Sequence, residues 1–499
     1  LRGFDPATTA FVIFHAGVGR DVELIGTTLD KTPEDLPSLF FDTATLNRLL
    51  GEVDLTFHGL PVTHALILPR TETRRGIDFI EDRPFLAEFS INGLLAASFF
   101  NYLGVPDLFD TETGQSAIGP FGLMDPLGIF AFNGLFPPEP SAWTKVFLGW
   151  TEPLDLMGAG PQAVTLRHVS DATRSDVARA WISPAEYFLV ENRFRDPEGD
   201  GLVMRVWRDG AIREVRVADG DEGFNRFNTS GFEGGVVVGV DDYDAALPGG
   251  VDEEGNPLRG GILVWHIDER RLLEGVASNR VNVGAETRAV DLEEADGAQD
   301  IGFPNPNPFG PAFDLGTPFD FFFRDNPVTV VTQTGAEVRL YQNRFGPDTH
   351  PDSRSNGGGP SFITLEDFSR PGAEMSFTYR RDGASGLEPV LTGFPLTDVA
   401  PGLTFPEGSL VKGFRFEGVE GLDGVTQWLL YTPDGGGRLL TVQVDPGGGA
   451  VAEPAVQAYA PPVVLPGNAY GYLGPGEGGG MAYIERRWGS DGTPSERLV

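Results

Sequence analysis

Carboxylates dominate the residues of this chain that could do chemistry, and they gather in two stretches. The first holds Asp107, Asp110, Thr111 and Asp125, with the backbone carbonyls of residues 114–119 close by in sequence. Hard oxygen donors so placed are the kind calcium selects. The same residues serve equally well as Asx turns and helix caps without any metal. The second stretch, residues 290–301, offers Asp291, Glu293, Glu294, Asp296 and Asp300, close enough for one cation site with oxygen ligands. It lacks the D-x-D-x-D-G spacing and closing Glu of an EF-hand. A solvated acidic loop is its competing reading. Histidine is scarce. His266 and Asp268 would share one face of a strand over residues 260–269, because strand side chains alternate. They form either a metal pair or a buried histidine oriented by an acid. His15, His58 and His64 match no ligand spacing, and His64 lies in an apolar strand, where a core histidine bonded to backbone is expected. No G-x-S-x-G elbow is present, and with no cysteine there is no thiol nucleophile, disulfide or thiolate metal site.

The elements that must position these groups read as mostly β. A buried strand ending in a Gly turn is expected at residues 9–19 and another strand at 61–68. A short apolar helix follows at 94–103 and runs into Gly104. Residues 128–150 are too aromatic for a solvated loop; they pack beneath that helix or offer an apolar patch to a partner. Strands are predicted at 184–193, 201–207, 212–217 and 260–269, followed by a Pro- and Phe-rich loop at 301–325 that wraps over a sheet. Beyond a polar linker, runs at 426–431 and 438–444 with Gly turns at 435–437 and 447–449 suit a small sandwich or the start of a propeller. A chain of 499 residues is expected to hold two to four domains. Its net charge of −35 repels phosphate, which argues against nucleic acid and anionic membranes as partners. No apolar run is long enough to span a bilayer. Leu1 is not an initiator Met and no signal peptide opens the sequence, so a processed or partial precursor is expected.

Three segments in order carry a resemblance. They are Y-L-G-V-P-D-L-F-D-T at 102–111, I-G-P-F-G-L-M-D at 118–125, and P-P-E-P-S-A-W-T-K-V-F-L-G-W at 137–150. Together with F-V-I-F-H-A-G at 11–17, E-Y-F-L-V-E-N-R at 186–193, G-G-I-L-V-W-H-I-D-E at 260–269 and the pair at 351–365 and 374–379, they resemble the M6 (immune inhibitor A-like) metallopeptidases. The resemblance implies that the short apolar helix is a zincin helix, with the metal motif at residues 97–101 and a third ligand at 107. A zincin needs H-E-x-x-H, because imidazoles at i and i+4 share one helix face and the Glu beside them deprotonates the bound water. Here Ala97 and Asn101 stand at the positions of the two histidines and Ser98 at that of the general base. Asp107, at the position of a third ligand, survives, and Met124 resembles the family's methionine turn. One carboxylate does not assemble the three protein ligands of a catalytic zinc.

The sequence therefore predicts an α+β protein: a degenerate, N-terminally incomplete peptidase-like domain over 1–160, a β-rich sandwich-like domain over 161–380, a linker at 381–389 and an all-β module over 390–499. Its expected role is that of an exported or cell-surface pseudopeptidase. It would bind a protein or peptide, or assemble with surface proteins or itself, with calcium as cofactor and no zinc. Two other readings stand beside it. One is an active zinc peptidase with ligands drawn from His15, His58, His64 and Asp107. The other is a subunit of an extracellular layer or filament, with contacts through the aromatics of 130–150.

Overall fold

The computed structural model describes residues 9–22, 35–51, 56–57, 60–78, 82–156, 160–168, 176–183, 185–220, 224, 235–304, 313–331 and 337–381. Beyond these it describes strands between residues 410 and 498. The fold is mixed α+β and strand-rich, and the chain divides into two units, Leu1–Ser385 and Gly386–Val499.

A five-stranded sheet organises the first unit, in the order Val290–Leu292, Gly260–Asp268, Glu186–Phe194, Val177–Ser183, Leu154–Asp155. Its two central strands pair antiparallel from Glu186 opposite Asp268 to Phe194 opposite Gly260. Both are buried along almost their whole length, so polar and apolar residues alike must be satisfied inside. One face carries Glu191 and Arg193 and is covered by the Ala142–Phe147 helix and the loops before it. The other carries Phe188, which meets Phe345 edge-on at 5.0 Å in a second, four-stranded sheet. That sheet runs Arg344–Phe345, Ile363–Glu366, Glu374–Arg381, Gln162–Arg167. Phe321, Phe322 and Phe323, from the loop expected to wrap over a sheet, are buried, and Phe322 exchanges backbone hydrogen bonds with Ile262. Residues 305–312 of that loop lie outside the described residues. One continuous core reaches from Leu68 to Tyr379.

The strand Val12–Val18 pairs parallel with His64–Thr71, whose other edge takes Leu39–Asp42. The expectation that this first strand is buried is corrected: Ile13 is 53% and Phe14 55% exposed. It is an edge strand with a single neighbour in its sheet, so neither of its faces is fully covered.

The apolar helix spans Asn92–Tyr102. It lies so close to the Pro126–Ile129 helix that a Cβ on Gly93 would sit 1.8 Å from the Ile129 carbonyl oxygen. Its end is closed by Gly104 at φ +90°, with the Gly104 N–H donating to the Asn101 carbonyl and the Val105 N–H to that of Phe100. Of the aromatic stretch beyond, Phe136 and Trp143 are buried, whereas Phe147 and Trp150 are exposed, Trp150 resting edge-on against Phe100. No helix among the described residues is long and apolar enough to cross a membrane.

The second unit contains two antiparallel sheets. One joins Leu410–Arg415, Val425–Tyr431, Gly437–Gln443 and Ala455–Gln457; the other joins Ala469–Pro475, Met481–Trp488 and Pro494–Leu498. Residues 435 and 436 and the turn at 447–449 lie outside the described residues, as does the linker expected at 381–389 after its first residue.

Candidate functional site

Ala97 and Ser98 face inward on the Asn92–Tyr102 helix and are buried. A methyl group offers no donor electrons, so the zinc implied by the M6 resemblance does not fit these residues. Asn101 turns its amide into the loop that follows, donating to the Val105 carbonyl at 3.1 Å and to Asp107 Oδ1 at 3.2 Å. Asn279 completes the clasp: its amide donates to Asp107 Oδ2 at 2.7 Å while its own Oδ1 accepts from the Asp107 N–H at 2.8 Å. Burial pushes the Asp107 carboxyl up, and the two amides pull it partly back. Asn279 sits at φ +55°, a conformation asparagine tolerates. Asn279→Gly keeps that backbone and removes the clasp. It is expected to lower stability by about 1–3 kcal/mol in urea unfolding, the cost of an under-satisfied buried acceptor. No change would show that Asp107 is satisfied without it.

The remaining carboxylates of the first stretch are spoken for locally. Asp110 accepts from the N–H groups of Glu112, Thr113 and Gly284; against a desolvation penalty, these hold its carboxyl below the usual range. Thr111 Oγ1 donates to the Asn279 carbonyl. Asp125 is fully buried, accepting from Ala117, Ile118 and Leu127 N–H and from Ser116 Oγ, and it caps the Pro126–Ile129 helix. Among the described residues, Asp107, Asp110 and Asp125 belong to no common metal-ligand grouping. Met124 lies in the core, its carbonyl accepting from Leu108 N–H. A shallow open cleft is lined by Asp110, Ser116, Asn282, Arg288 and Phe303; Ala97 and Asn101 take no part in its walls.

The quoted segments meet in a chain of buried charges. Glu191 accepts from Lys145 Nζ at 3.1 Å, from Trp265 Nε1 at 2.9 Å and from the Ala142 N–H at 3.2 Å. Beside it, Arg193 donates to Asp244 through Nε at 2.9 Å and to the Phe121 carbonyl through Nη1, also at 2.9 Å. Burial works against the Arg193 charge, but Asp244 and Glu191 more than restore it. Residues of the A-W-T-K and E-Y-F-L-V-E-N-R segments thus form one internal ion network, to which the I-G-P-F-G-L-M-D segment adds a backbone carbonyl.

His266 uses both ring nitrogens, Nε2 against Glu186 at 2.9 Å and Nδ1 against Glu293 at 3.0 Å. Asp268 caps the Glu269–Gly275 helix by accepting from Arg270 and Arg271 N–H. The acids that hold the buried His266 ring are therefore Glu186 and Glu293, and Asp268 serves the helix instead. His64 instead bonds the Thr63 hydroxyl at 2.9 Å and packs against Phe40 and Tyr102, so its partner is a side chain rather than backbone. His15 Nδ1 accepts from Gly17 N–H, and His58 lies outside the described residues. Burial opposes the His266 charge, yet its two carboxylate partners outweigh burial and lift the pKa to about 9, well above the ordinary histidine range. A histidine raised on folding contributes stability that is fully present below its unfolded pKa and lost as pH rises through its folded one. Tm is therefore expected to fall between about pH 7 and 9, and less so in His266→Gln; equal slopes in the two proteins would contradict this assignment.

The acidic stretch divides. Asp291 pairs with Arg288 at 3.1 Å and Glu293 with His266, so neither is free for a cation. Glu294 and Asp296 instead meet Asp320, a residue from the Phe-rich loop, with oxygens of all three within 4.8 Å of one another and all three side chains buried. Backbone donors orient them: Asp300 and Ile301 N–H to Glu294, Ala298 N–H to Asp296, Thr317 N–H to Asp320. Burial first, then mutual repulsion, pushes the carboxyls of Glu294 and Asp320 well up; burial raises Asp296, and burial with Asp314 and Asp296 lifts Asp300 to about 6. Asp320 could not be found from sequence, because it lies in an aromatic loop 24 positions after Asp296, with no local spacing to tie it to the acidic stretch.

No family model, no curated protein and no solved structure matches the chain.

Proposed function

We propose that this chain is a pseudopeptidase on an M6-like, zincin-type frame, exported or displayed at a cell surface, where it binds or assembles without proteolytic turnover. The clasp on Asp107 carries the reading. Where a peptidase would hold metal with two imidazoles and an acid, Ala97 supplies a methyl group and Asn101 and Asn279 spend their amides on the surviving carboxylate. Catalytic zinc requires three ligands and an open position, and no metal-ligand grouping among the described residues includes His15, His64 or Asp107. The network of Lys145, Glu191, Arg193 and Asp244 supports the same reading, because it gives the recurring segments a structural role that outlasts catalysis.

Calcium is the cofactor we assign to this protein, at Glu294, Asp296 and Asp320. Three buried carboxyls with oxygens within 4.8 Å of one another must either hold protons or share a cation, and an all-oxygen donor set suits calcium. The test is elemental analysis of the purified, unchelated protein. Calcium near one per chain with zinc at background is expected; stoichiometric zinc would return attention to the histidines.

A further inference from the structure

A three-stranded antiparallel sheet in the first unit, ordered Ala211–Val217, Leu202–Arg208, Val236–Val240, has one face that the fold explains and one that it does not. The inner face buries Leu202, Met204 and Val206 against Phe136, Phe224 and Ala245. An antiparallel sheet with one packed face normally turns polar residues outward. Here the outward row is Ile212, Trp207 and Val236, directly opposite one another across all three strands, with Val238 beside them. They are 60%, 48%, 57% and 49% exposed.

The next row carries the second observation. Arg205 stands opposite Glu214 on one side and Gly239 on the other. A Cβ on Gly239 would lie 2.6 Å from Arg205 Nη2 and 3.1 Å from its Cζ, so the guanidinium lies over that bare backbone, on the side away from Glu214. Both Arg205 and Glu214 are exposed, and neither forms an ion pair or hydrogen bond with a described residue. An apolar row bordered by one unpaired cation and one unpaired anion is self-complementary under a twofold axis.

We infer that this face docks on the same face of a second copy of the chain. The apolar rows meet across the axis, and Arg205 of each copy reaches Glu214 of the other; such an isologous contact needs one patch carrying both signs. A partner of a single charge would leave one of the two unmatched. Three strands about 4.8 Å apart and some five residues long present far less than the ~800 Å² a side of a standard interface. The dimer is accordingly weak and concentration-dependent. With −35 on each copy, long-range repulsion opposes it, so added salt should strengthen association even as it weakens the Arg–Glu contacts. The inference stands independently of the pseudopeptidase reading.

Sedimentation velocity on the full chain across a concentration series tests it. Wild type is expected to self-associate, more at higher salt, and Trp207→Ser to weaken association about tenfold or more, as loss of a central aromatic anchor does. Arg205→Glu and Glu214→Arg should each be monomeric alone, because each homodimer would oppose like charges. Mixed one to one they should form heterodimers, since one variant then carries two acids where the other carries two arginines. A wild type that stays monomeric at every concentration overturns the proposal. So does association that Trp207→Ser leaves unchanged, or a mixture no more associated than its separate components. Circular dichroism on each variant separates loss of association from loss of fold.

Discussion

Arg193→Ala is expected to destabilise the first unit by about 3–5 kcal/mol, the range for breaking a buried pair from one side. Arg193, Glu191 and Asp244 are all fully buried, so the loss leaves Asp244 without its guanidinium partner and removes the donor to the Phe121 carbonyl. Glu191 would keep Lys145 and the Trp265 indole. The damage should therefore centre on the Tyr243–Ala246 turn and the Gly119–Phe121 segment. Asp244→Ala alone should be comparably severe, and the double variant should cost less than the sum of the two, because it removes both charges together. Additive losses in denaturant titrations would mean that the two residues do not act on each other.

The second large effect is expected from calcium. In chelator, the carboxyls of Glu294, Asp296, Asp300 and Asp320 are raised on folding, so the folded state binds more protons than the unfolded one. Stability contributed by these groups then falls as pH rises from about 4 through their folded values. A bound divalent cation removes that penalty. At a calcium concentration a hundred times Kd the gain is about 2.7 kcal/mol from mass action alone. Tm at neutral pH should rise on adding calcium, and the rise should vanish in Asp320→Asn. A Tm indifferent to calcium and to chelator would remove the cation assignment and leave a shared-proton cluster.

Much of the fold was legible because the strands and turns are punctuated locally. The Glu186–Phe194 and Gly260–Asp268 strands follow from apolar runs of strand length, and the helix end follows from Gly104. What the sequence could not show was which side chains close on one another across long separations. Asn279 clasps Asp107 from 172 positions away, and Lys145 reaches Glu191 across 46. Neither pair has a local spacing to betray it. The exposure of the Val12–Val18 strand was hidden for a related reason: an apolar run reports that a strand forms, not how many neighbours it has. The acidic stretch carried the right chemistry in the wrong combination. Of Asp291, Glu293, Glu294, Asp296 and Asp300, only Glu294 and Asp296 join the three-carboxyl grouping, because the strand register turns Glu293 toward His266 and Arg288 holds Asp291.

Casein hydrolysis by the purified full chain, with and without chelator, tests the retired-peptidase account most directly. The account predicts no cleavage above background in either sample. Cleavage that chelator abolishes and zinc restores would contradict it, and would mean that a working metal centre exists despite Ala97, Ser98 and Asn101.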